Sequence, residues 1–180
     1  MHTRYFICLA LALFGLMSCN QAQKGVTEQE ALNQATGPFI GLDGDTLQKV
    51  EKTDKEWKAE LSEQAYYVLR QAGTERAFTG NFWNNKKKGV YICAGCGLPL
   101  FSSATKFESG TGWPSFWEPI RKENILEVVD KAYGMTRTEV RCARCGGHQG
   151  HVFDDGPKPT GLRYCINSVA LDFVEGSDKP

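Results

Sequence analysis

The chain has 180 residues, in which 21 Lys plus Arg balance 21 Asp plus Glu. It therefore carries no net field that would draw it to nucleic acid or to an anionic membrane surface. The length suits one core of ordinary size with appendages, and the 19 glycines, with short apolar stretches bounded by Gly, Asn, Pro and Asp, point to an all-β, β-rich domain.

The first 18 residues read as a secretion leader, with His2 and Arg4 followed by an apolar run from Tyr5 to Met17 that is too short for a comfortable membrane span. Leu16-Met17-Ser18-Cys19 resembles the lipobox of bacterial lipoproteins, which implies cleavage before Cys19 and acylation of that cysteine. The expectation is an exported protein of the cell envelope, membrane-anchored through Cys19 and facing the periplasm or the exterior. Residues 19–52 are polar, with few large apolar side chains, and read as a flexible tether. Thr53 and Glu56 form a capping-box pattern, followed by Trp57, Leu61, Val68 and Ala72 at helical spacing. Ser62 is able to restart a second helix, and Gly73 is the C-cap candidate. Beyond a lysine-rich tip at residues 86–88, Val90-Tyr91-Ile92 reads as a strand.

Cys93-Ala94-Gly95-Cys96 and Cys142-Ala143-Arg144-Cys145 each follow a β-like approach and are each turned by a glycine. Two residues between cysteines let one tight turn supply two thiolates, and two such turns complete the tetrahedral shell of a structural Zn²⁺. The pairs would staple two distant hairpins of one domain. Two alternatives are a pair of disulfides and a redox CxxC. The redox motif needs a helix to start at its first cysteine, and neither pair shows one.

Between the pairs, Ser109-Gly110-Thr111-Gly112-Trp113-Pro114 forms a sharp turn displaying an indole, and residues 125–129 with 134–140 read as a hairpin into the second pair. Gly147-His148-Gln149-Gly150-His151 follows. Four thiolates saturate a zinc, so both imidazoles remain for hydrogen bonding and proton transfer. After a turn at Asp154-Asp155-Gly156-Pro157, the last segment alternates, with Leu162, Tyr164 and Ile166 on one face and Arg163, Cys165 and Asn167 on the other. Cys165 is thus a thiol without a metal partner, on a polar face beside a cation and an amide. The competing reading is a buried inert thiol. The phase changes near Ser168, which marks a bulge or strand end. Residues 175–180 read as a disordered tail.

Gly73-Thr74-Glu75, Gly89-Val90-Tyr91, Pro99-Leu100-Phe101, the 109–116 segment, Gly147 to Phe153 and Arg163-Tyr164-Cys165-Ile166-Asn167-Ser168 together resemble the B-type methionine sulfoxide reductases over residues 53–174. The resemblance implies two antiparallel sheets with short N-terminal helices and one structural Zn²⁺ on Cys93, Cys96, Cys142 and Cys145. It implies Cys165 as nucleophile, Trp113 and Phe153 at the substrate, and His148, His151, Arg163 and Asn167 as polar groups that order water and the sulfoxide oxygen and lower the thiol's pKa. The implied reaction reduces methionine-R-sulfoxide, in proteins and as the free amino acid, and leaves a sulfenic acid on Cys165. Relatives of this kind place a resolving cysteine where this chain has Thr111. The cycle is therefore expected to use an external thiol, from a thioredoxin-like protein or a small molecule, and the enzyme is expected to be a monomer. The rival functions are a zinc-ribbon binding module without catalysis and a disulfide oxidoreductase built on the CxxC pairs.

Overall fold

The computed structural model describes residues 35 and 37–177. The leader, Cys8, Cys19 and the first part of the tether lie outside the described residues. Among those described, no helix is long and apolar enough to cross a membrane. A small hairpin, β1 (Phe39–Ile40) with β2 (Thr46–Leu47), precedes helices α1 (Asp54–Glu60) and α2 (Glu63–Gln71). The described part of the stretch read as tether lies against the domain. Phe39 is buried in the core, Arg144 donates to the Gln48 carbonyl, and the Val50 N–H donates back to the Arg144 carbonyl. Its few apolar residues are too sparse to show a period, so the docking is invisible until the partner surface exists.

Both helices start where the caps predict. Thr53 and Glu56 satisfy each other's backbone, and the Ser62 hydroxyl accepts from the Ala65 N–H and opens α2. The C-terminus of α2 differs from expectation. Ala72, at φ 53°, takes the left-handed cap, while Gly73 is needed for space, since a Cβ there would come within 2.3 Å of the Tyr67 ring. Trp57, Ala65, Val68 and Leu69 turn inward.

The rest is antiparallel sheet. The strands are β3 (Gly89–Cys93), β4 (Pro99–Ser102), β5 (Lys106–Phe107), β6 (Ser115–Phe116), β7 (Ile125–Asp130), β8 (Arg137–Cys142), β9 (His148–Phe153), β10 (Arg163–Ile166) and β11 (Leu171–Glu175). One sheet has the order β5-β6-β10-β9-β8-β7 and the other β11-β3-β4. The phase change near Ser168 is where the chain leaves the first sheet: a 3₁₀ turn at Ser168–Ala170 carries it into β11 of the second. β11 also extends through Glu175, one residue into the stretch read as tail.

An aromatic cluster joins the sheets. Phe101 stacks on Phe116 with centroids 4.5 Å apart, Tyr91 meets Phe116 edge-on at 5.0 Å, and Tyr164 lies 5.7 Å from Phe101. Aromatic pairs of this kind contribute about 0.5–1.5 kcal/mol each beyond their burial. Tyr164 and Ile166 commit one face of β10 to this core, so strand alternation directs Arg163 and Cys165 to the opposite face.

Candidate active site

The four paired cysteines meet where the sheets come together. Cys93 and Cys96 close the β3–β4 turn, and Cys142 and Cys145 close the β8–β9 turn. In each knuckle the N–H of the following glycine donates to the first cysteine's carbonyl, Gly97 to Cys93 at 2.7 Å and Gly146 to Cys142 at 2.8 Å. Both glycines have φ near +70°, at 74° and 71°, a backbone that side chains resist. The four sulfurs all lie within 4.8 Å of one another, with Cys93 to Cys145 at 3.7 Å and Cys96 to Cys142 at 3.5 Å. A tetrahedron with Zn–S bonds of about 2.3 Å has edges of roughly 3.8 Å, so the cluster fits a tetrathiolate zinc.

None of the five described cysteines is in a disulfide, and each pair sits in a turn after a strand. The surroundings suit a metal held for structure. Gln149 is fully buried and donates to the Cys93 sulfur at 3.4 Å, while Arg70 and Arg144 donate to the carbonyls of Cys145 and Cys96. These residues form the structural zinc site of the chain, and the zinc ties the two sheets together.

The thiol lies on the outer face of the six-stranded sheet. Cys165 pairs in register with His151 on β9 and with Ser115 on β6, which places each Cβ about 4.5–5.5 Å from that of the cysteine. Two residues separate His148 from His151, and in a regular strand they would face opposite ways. A register shift opposite Val140 and Arg141 absorbs Gln149 as the extra residue, and the two imidazoles come together with centroids 5.5 Å apart. Gly150 allows this close pairing, since a Cβ there would sit 2.0 Å from the Cys165 carbonyl oxygen.

Each imidazole is held by a carboxylate from the β7–β8 hairpin. Asp130 on β7 accepts from His151 Nε2 at 2.9 Å, and Glu139 on β8 accepts from His148 Nδ1 at 2.7 Å. Burial works against ionisation of Asp130, but the Ala132 N–H, His151 and Arg137 hold its carboxyl down at about 2. An ionised carboxylate only accepts, so His151 carries its proton on Nε2 and Nδ1 is its basic nitrogen. Burial pushes the His151 pKa below its usual value, outweighing Asp130, so the ring is neutral in neutral solution. His148 Nε2 is buried with no protein partner.

Arg163 is fixed in a fork to Asp155, at 2.8 and 2.9 Å, with its guanidinium 4.5 Å over the Phe153 ring. Thr111 Oγ1 lies 4.0 Å from the Cys165 sulfur and is tied through Ser109 to Ser115. The net effect on the thiol differs from the expected activation. Burial raises the Cys165 pKa, and the opposing pull of Arg163 and Thr111 does not offset it.

The structure thus gathers Cys165, His148, His151, Arg163 and Phe153 on one face, with Trp113 on the adjoining turn. Asn167 lies just past β10 with its backbone still extended. It is buried and ties backbones together: Nδ2 donates to the Gln149 carbonyl at 2.9 Å and Oδ1 accepts from the Glu75 N–H at 3.0 Å.

Asp130, Glu139, Asp155 and Glu75 were not singled out in the sequence. Glu139 had a weak signal, as a carboxylate in an otherwise half-buried hairpin. Glu75 had none, yet it is buried and braces both sides of the site. Its carboxylate accepts from the Ser168 and Val169 N–H groups at 2.5 and 3.0 Å, and its carbonyl accepts from Trp113 Nε1 at 3.2 Å.

Comparison with known proteins agrees with this arrangement. Residues 61–175 match the SelR domain. The chain is 58% identical over 130 residues to a peptide methionine sulfoxide reductase MsrB of Methanosarcina mazei, covering 72% of this chain and 93% of that protein. It is 57% identical over 125 residues to the protein of the same name from Leptospira interrogans, covering 69% and 95%. For that of Methanosarcina barkeri the figure is 61% over 124 residues, covering 69% and 87%. With the zinc knuckles and the thiol–imidazole face in place, the chain belongs to the SelR-domain family, the B-type methionine sulfoxide reductases.

Proposed function

We propose that the Cys165 sulfur reduces methionine-R-sulfoxide in peptides and proteins, and as the free amino acid. His151 Nδ1 takes the thiol proton, and the thiolate attacks the sulfoxide sulfur. The imidazolium, balanced by Asp130, returns the proton to the sulfoxide oxygen as the S–O bond breaks and a new S–O bond forms on Cys165. The sum is one thiol plus one sulfoxide giving one sulfenic acid plus one thioether, with His151 neutral again. His148 Nε2, a buried acceptor, orders a water beside the sulfoxide oxygen, and Arg163 favours the thiolate. Trp113 walls the terminal methyl and Phe153 borders the site. Preference for the R epimer comes from the family.

The observation that carries this reading is the register pairing of Cys165 with a carboxylate-held His151. Among the described residues Cys165 is the one cysteine outside the metal cluster, which favours a cycle closed by external thiols. One thiol displaces hydroxide from the sulfenic acid to give water and a mixed disulfide, and a second restores Cys165. The test is turnover of separated R and S epimers of a methionine sulfoxide peptide with dithiothreitol, for wild type and Cys165→Ser. Turnover of the R epimer by wild type alone is expected, and activity surviving in Cys165→Ser would overturn the reading. A sulfenic-acid probe should label Cys165. Anchoring to the cell envelope through Cys19 is proposed on the leader sequence, and palmitate labelling lost in Cys19→Ala tests it.

A further inference from the structure

Behind the turn that carries Thr111 lies a small cavity. Its volume is about 120 Å³, and Phe78, Trp83, Glu108, Ser109, Gly112 and Trp113 line it. Cys165 is not among its walls. An enclosed apolar cavity of about 150 Å³ holds a benzene molecule, so this one is the size of a single aliphatic or aromatic side chain. Its polar wall atoms are already engaged: the Ser109 hydroxyl bonds to Thr111 and Ser115, and Glu108 pairs with Lys86. What remains for an occupant is largely the two indoles and the Phe78 ring, which meets Trp83 edge-on at 5.3 Å.

Phe78 is the odd residue. It is 56% exposed, so the core does not require it, and it holds φ at 64°, a backbone region that a bulky residue rarely enters. The turn imposes this. The Phe78 N–H donates to the Gly112 carbonyl at 2.9 Å, and Gly112, at φ 88°, approaches so closely that a Cβ would lie 2.7 Å from the Phe78 ring. An aromatic ring is thus held at the surface, against its backbone preference, facing the same turn whose far side touches the nucleophile. The cavity and the thiol are back to back across residues 109–113, with Thr111 Oγ1 4.0 Å from the sulfur and Trp113 a wall of the cavity. An extended peptide advances about 3.3–3.6 Å per residue, so the side chains next to a methionine engaged at Cys165 fall along the turn that lines this cavity.

We propose that this cavity is a subsite for an apolar side chain flanking the oxidised methionine, and that it makes apolar-flanked methionine sulfoxides in peptides better substrates than isolated ones. The proposal rests on the reading of Cys165 as the sulfoxide-reducing thiol. The test compares kcat/KM, with dithiothreitol, for N-acetyl-methionine-R-sulfoxide and for pentapeptides with a central methionine-R-sulfoxide flanked by Leu or by Ser at each position in turn. Wild type should favour one Leu-flanked peptide over its Ser counterpart by roughly tenfold, as partial burial of one side chain implies. Trp83→Ala should erase that ratio while leaving the N-acetyl compound unaffected. Phe78→Asn, which tolerates positive φ and removes an exposed ring, should do the same with the fold intact. Equal rates for Leu and Ser flanks in wild type, or an unchanged ratio in Phe78→Asn, would overturn the subsite. Failure of wild type to reduce even the N-acetyl compound would instead sink the reading of Cys165.

Discussion

Cys165 is a nucleophile whose own burial opposes its ionisation, so its reactivity depends on what stands beside it. Arg163 is the nearest cation, and the Asp155 fork and the Phe153 ring fix it there. Because burial holds the thiol above its ordinary range, its rate of alkylation by iodoacetamide should climb through a midpoint above about 8.5. Arg163→Met removes the largest group favouring the thiolate and should move that midpoint up and slow alkylation near neutral pH. A midpoint that fell, or stayed in place, would show that Arg163 does not act on the sulfur. The thiol and the arginine were legible in the sequence because they are two residues apart on one alternating strand. The buried backbone ties of the Asn167 amide were not legible, because its partners at Gln149 and Glu75 are distant in sequence. Glu75 was illegible because its partners, Ser168 and Val169, lie far along the chain.

At the level of single elements, the bulge in β9 converts an unhelpful spacing into a pair of facing imidazoles, and β7 and β8 supply the carboxylates that hold them. The capping box at Thr53, the Ser62 restart and both cysteine knuckles could be read directly, since each closes within a few residues. The bulge could not: it depends on how β8 pairs with β9, which no local pattern records. The same pairing governs acid stability. Asp130 ionises at about 2 in the fold against an ordinary 3.8, so its contribution is fully present above about pH 4 and is lost as pH falls through about 2. His151 is kept neutral in the fold, while the unfolded chain binds a proton near pH 6.5, so acidification below that value already favours unfolding. Urea unfolding across pH should therefore show two stages of loss in wild type. In Asp130→Asn the lower stage should shrink to what Glu139 and Asp155 contribute and the upper one deepen, because the carboxylate that supported the imidazolium is gone.

Over the whole molecule, the two sheets are held by an aromatic seam and by a metal whose ligands come two from each sheet. Structural zinc is worth about 10–16 kcal/mol in small zinc domains, as much as the entire folding free energy of a typical domain. One zinc per chain is expected by metal analysis. Cys142→Ser, or a strong chelator, should abolish the cooperative thermal transition rather than merely lower its midpoint, and retention of a sharp transition without metal would show that the seam suffices alone. The order of strands also governs the protein's birth on the ribosome. β10 lies between β6 and β9, and β11 flanks β3, so these two late strands insert into the larger sheet and complete the smaller one. A chain halted before Arg163 has its metal knuckles and both helices but lacks the strand that carries the sulfur and the outer strand of the smaller sheet, so the knuckles alone assemble no reactive face.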